Sequence, residues 1–162
     1  MNRHAIAALF SALTFAGTTH AAVLSESNIS TADAQKLASA TVAACQAKGY
    51  NVSASVVDRA GLLKAFARAD NAGPHTIEAS QAKAFTSASA KAPTLAIMEN
   101  AQKNPAAANL TDIPGFLLLG GGVPVKAGDS VIGAIGVAGA PGGHLDAQCA
   151  DEVLAANAAL FK

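Results

Sequence analysis

Three glycines recur at every third position through an otherwise apolar run, Val131-Ile132-Gly133-Ala134-Ile135-Gly136-Val137-Ala138-Gly139. Valine and isoleucine favour a pleated, buried strand. A glycine inside such a strand marks a bulge or leaves bare backbone for a close neighbour. The spacing therefore predicts a strand over 131–137 with helices pressed against its main chain. Upstream, the turn Ala127-Gly128-Asp129 joins it to a strand over 123–126, and Gly120-Gly121-Gly122 joins that strand to another over 116–119.

The N-terminal half has a different period. Ser30-Thr31-Ala32-Asp33 has the form of a capping box, and Leu37, Ala40, Val42 and Ala44 follow near helical spacing, so a helix is expected over 31–48 with Gly49 as its stop. Val52, Ala54 and Val56 then alternate with Ser53, Ser55 and Val57, and Asp58-Arg59-Ala60-Gly61 breaks the run before 62–68 extends it again. That pattern reads as a β-hairpin. Asn71-Ala72-Gly73-Pro74 is a loop leading through His75-Thr76 into an alanine-rich helix to about Lys91, halted by Pro93. A shorter helix is expected over 94–103, an ordered surface loop over 104–115, and a final helix over 146–160 opened by Asp146. Strands grouped between terminal helices argue for α+β. The expected architecture is a five-stranded antiparallel sheet flanked by helices.

Met1-Asn2-Arg3-His4 is a short basic segment before an apolar run at 5–17, with Thr19 and Ala21 at the −3 and −1 positions of a cleavage site. Residues 1–21 therefore read as a secretory signal peptide, too short for a membrane span, and 22–162 as a single domain that is periplasmic or secreted. Lys plus Arg equal Asp plus Glu at 11 each, so there is no electrostatic reason to seek nucleic acid or an anionic membrane. Tyr50, Phe66, Phe85, Phe116 and Phe161 are too few to stack a run of bases. Export permits a disulfide between the two cysteines, Cys45 and Cys149; the alternative is a pair of buried free thiols. Neither cysteine has the spacing of a zinc site.

Two motifs do not hold up. Gly133, Gly136 and Gly139 lack the spacing of a dinucleotide-binding loop; Ser80-Gln81-Ala82-Lys83 matches the S-x-x-K of a class of serine enzymes and Lys126-Ala127-Gly128 weakly echoes their K-T-G, but the S-D-N element is missing and the chain is too short for that fold. Two histidines remain after the leader. His75, at the mouth of a helix after Gly73-Pro74, can be partly exposed and free to coordinate, or can make a local hydrogen bond. His144, in the glycine-rich approach to the last helix, reads as a solvent-exposed loop residue, and Met98 as core packing.

The glycine-rich strand pair, Val56-Val57-Asp58-Arg59-Ala60-Gly61 and Lys83-Ala84-Phe85-Thr86 together resemble the GlcG/HbpS-like family of haem-binding proteins, from about Ser30 to the C-terminus. The resemblance implies profilin-like α/β layers, haem as cofactor and assembly into a homo-oligomer. It makes His75 the candidate iron ligand. It places Arg68, Lys83 and Arg59 where propionates could pair, Phe85 or Phe66 over the porphyrin, and Thr76 and Thr86 beside the same region. A helix cap accounts for Thr76 equally well. Gly121 and Gly122 either make a tight turn or present amides to an anionic group.

The expected function is binding of haem or a related tetrapyrrole, in sequestration, delivery or sensing. One alternative is a module that binds a partner protein without a ligand. Another is an enzyme of haem degradation or of a small organic acid, with Arg68, Lys83 and the glycine turn as an anion pocket. No nucleophile–base pair or metal triad supports catalysis.

Overall fold

A computed structural model describes residues 23–161; the leader expected over 1–21 lies outside them. The described chain runs α1 (Thr31–Gln46), β1 (Ser53–Asp58), β2 (Leu63–Arg68), α2 (Thr76–Ala90), α3 (Thr94–Lys103), β3 (Gly122–Ala127), β4 (Ser130–Ala138) and α4 (Gly143–Ala156). None of these helices is long and apolar enough to cross a membrane. At the start of α1 the Ser30 hydroxyl accepts from the Asp33 amide at 3.0 Å, as the capping pattern requires.

The strands form one antiparallel sheet in the order β2-β1-β4-β3. Ala54 pairs with Val137 and Val56 with Ile135. These residues share a buried cluster with Leu37, Ala38 and Val42 of α1 and Ala150 and Val153 of α4. Cys45 and Cys149, both fully buried, form a disulfide joining α1 to α4, with Cα atoms 5.5 Å apart.

The opposite face is built of small and hydroxyl-bearing residues. Ser53 shares a hydrogen bond with Thr76 and Ser55 with Ser80, each at 2.7 Å and each buried. These bonds let α2 sit almost on the main chain of β4: a Cβ on Gly136 would fall 2.0 Å from the Ser80 carbonyl oxygen and 2.5 Å from the Ala84 nitrogen. The close helix approach expected from the glycine spacing is present at this residue.

The expected fifth strand over 116–119 is not a strand, and the sheet has four among the described residues. Helix threonines hold that segment. The Leu117 amide donates to Thr86 Oγ1 at 2.8 Å, and the Leu119 carbonyl accepts from Thr94 Oγ1 at 2.6 Å. The expected loop over 104–115 contains a 3-10 helix, Pro105–Asp112. The last helix begins at Gly143, ahead of Asp146, which lies in its first turn.

Candidate functional site

Where β4 ends, α2 and α4 both begin, and a cleft of about 350 Å³ opens between them. Its apolar wall comes from Leu95 and Met98 of α3, Leu119, Ala79 and the Ala138–Pro141 turn. Met98 thus faces the cleft, whereas core packing was expected.

Beneath the cleft lies a buried ion pair. Lys83 Nζ stands 2.9 Å from Asp146 Oδ2, and the two side chains are 5% and 3% exposed. The same ammonium donates to the Val137 carbonyl at 2.9 Å, and Asp146 Oδ1 accepts from the Ala140 amide at 2.9 Å. Burial pushes the Asp146 carboxyl above its ordinary value, while Lys83, the Ala140 amide and His144 pull it back. Gly121 makes room for this pair. It sits at φ +119°, and a Cβ there would lie 2.5 Å from the Val137 oxygen and 3.0 Å from Lys83 Nζ.

Two exposed imidazoles flank the mouth, His75 at the start of α2 and His144 in the first turn of α4. They are held alike. Each ring folds back over the glycine two positions earlier, so that a Cβ on Gly73 or on Gly142 would meet the respective Cε1 at 2.8 Å. His144 is exposed, as expected, but it stands in the first turn of a helix and not in a loop, and it lines the cleft. The repeated unit, glycine, any residue, histidine at a helix start, was present in the sequence as Gly73-Pro74-His75 and Gly142-Gly143-His144.

Among the other candidates, Lys83 reaches the cleft but is committed to Asp146. Gly121 and Gly122 are buried behind it, where a Cβ on Gly122 would strike the Lys83 carbonyl oxygen at 2.4 Å. Thr76 is fully buried and donates to the Gly73 carbonyl at 2.6 Å. Three residues lie elsewhere. Arg68 donates to the Ala72 carbonyl and is not part of the cleft lining. Arg59 pairs with Glu26 at 3.4 Å. Phe85 meets Phe116 edge-on, with ring centroids 6.2 Å apart, and lines a separate apolar cavity with Leu62 and Leu63. No cluster of three or more His, Cys, Asp or Glu side chains able to hold a bare metal ion occurs among the described residues.

A sequence profile described as haem degrading protein HbpS-like matches residues 29–155. The chain belongs to the HbpS-like family. Protein GlcG of Escherichia coli K12 is 36% identical over 107 residues, 64% of this chain and 78% of that protein. A crystal structure of HbpS superposes with a TM-score of 0.78 at 40% identity, covering 83% of this chain and 93% of its own. The Klebsiella pneumoniae protein ORFY superposes at 0.77 with 29% identity, over 86% of this chain and 99% of that one. The mixed helix-and-sheet architecture is thus the HbpS fold, and the GlcG/HbpS-like resemblance read from the sequence is family membership.

Proposed function

We propose that the protein binds haem, or a related tetrapyrrole, in the cleft between the starts of α2 and α4, with His75 and His144 as the imidazoles available to iron. The observation that carries this reading is the convergence of both histidines on one cleft with an apolar wall. The donor chemistry fits the group: imidazole nitrogens for iron, and Leu95, Met98 and Leu119 for the ring. Lys83 is already paired and the first amides of α2 donate to the Gly73 and Pro74 carbonyls, so a propionate falls to the amide end of α4, which carries no side-chain cap. The family description, haem degrading protein HbpS-like, supports the same ligand.

The role we assign is sequestration, delivery or sensing in the periplasm or outside the cell. The buried disulfide suits an oxidising compartment, and the leader expected over 1–21 would deliver the chain there. Assembly into a homo-oligomer belongs to the same proposal. The exposed apolar side chains Leu62, Leu63 and Phe66 on and beside the edge strand β2 give it a surface. The same surface favours a second reading, docking of a partner protein without any ligand.

Haem titration of the chain from Ala22 onward, followed at the Soret band, tests the proposal. Saturable binding is expected, with the band shifted or lost in His75→Ala and His144→Ala. Wild-type spectra and affinity in both variants would remove the cleft as the site, and absence of saturable binding would leave the partner-docking reading.

A further inference from the structure

The fifteen residues of α2, about 22 Å of helix, separate the histidine cleft from a different kind of cavity at the far end. That cavity, of about 310 Å³, is lined by Arg59, Lys91, Lys126, Asp129, Ser130 and Val131. Three cations face one carboxylate. Arg59 is engaged by Glu26, whereas Lys91 and Lys126 form no ion pair among the described residues.

Lys91 is there at a conformational cost. It is the one non-glycine among the described residues with positive φ, at φ 54° and ψ 32°, where glycine or asparagine is the usual choice. The helix end does not need its side chain. The main-chain amides of Lys91 and Ala92 donate to the Ser87 carbonyl, and the Ser87 hydroxyl donates to the Ala92 carbonyl at 2.9 Å. Nor does the helix dipole require a lysine at this residue. The last turn of α2 holds no basic residue, and a lysine placed there would meet the dipole without a left-handed backbone. What position 91 provides is an ammonium at the cavity.

We infer that this cavity is a phosphoryl-binding site, taking the anionic phosphoryl group of a phosphorylated small molecule or of a phospholipid headgroup. Two unpaired ammonium groups, a guanidinium and the Ser130 hydroxyl supply donors suited to such a group. The three cations outnumber Asp129 and the Glu26 carboxylate beside Arg59, so the local field attracts an anion, and more strongly the greater its charge.

The test is calorimetric titration of the full chain with pyrophosphate at low ionic strength, alongside sedimentation with phosphatidylcholine vesicles with and without phosphatidylglycerol. Saturable binding that weakens with salt is expected. Lys91→Gly and Lys126→Gln should each reduce affinity about tenfold, while Lys36→Gln, an exposed lysine of α1, leaves it unchanged. Lys91→Gly should also raise Tm by about 3 °C through release of the strained backbone, which separates lost binding from lost folding. Binding to phosphatidylglycerol vesicles but not to pyrophosphate, with the same dependence on Lys91, assigns the site to a headgroup; pyrophosphate binding assigns it to a soluble ligand. No saturable binding to either, or an equal loss in Lys36→Gln, overturns the inference.

Discussion

Lys83 and Asp146 are the two residues whose chemistry most depends on each other. Removing one leaves the other charged in a site with little water, so Lys83→Met should cost about 3–5 kcal/mol in urea unfolding, and the double variant Lys83→Met/Asp146→Leu should recover much of it. Asp146 also sets a pH dependence. Its folded carboxyl titrates above the unfolded value of 3.8, so between the two values the native state holds the extra proton. The contribution is complete below pH 3.8 and is lost as pH rises through the folded value. Relative to Asp146→Asn, the wild-type protein should therefore gain stability on acidification through that window, measured by denaturant melts at stepped pH. His75 was legible because a glycine-proline loop before a helix exposes its neighbour. Lys83 was legible as a cation near the site, but its partner lies 63 residues away and no local pattern joins them.

At the scale of elements, the seam between α2 and β4 governs where the cleft can open. Gly136→Ala would drive a methyl carbon into the Ser80 carbonyl, lifting α2 and moving His75 with it. A loss of about 3 kcal/mol or more is expected from chemical denaturation, with weakened haem binding alongside. The helices and the β1–β2 hairpin were readable because capping residues, alternation and turn glycines act within a few positions. Residues 116–119 were not. Phe116-Leu117-Leu118-Leu119 is as apolar as a strand, yet its main-chain groups are met by Thr86 and Thr94, whose hydroxyls reach it only after α2 and α3 have docked. The candidate site was half legible for a similar reason: His75 announces itself locally, whereas the place of His144 in the cleft and the displacement of Arg68 and Phe85 from it depend on how the helices and the sheet are arranged.

For the whole molecule, the link between Cys45 and Cys149 spans a sequence separation of 104 residues. In the chain-entropy picture, closing so long a loop restricts the unfolded state by about 4–5 kcal/mol, so Cys45→Ser/Cys149→Ser should lower the unfolding midpoint by a corresponding amount. The same bond makes the interior of the domain a covalent ring. The exposed bend around Pro105–Asp112 lies inside that ring, so a protease cutting there once would yield two polypeptides that still travel as one body. A nicked molecule would keep its mass, but for the one water added at the cut, until a thiol reductant released the two pieces.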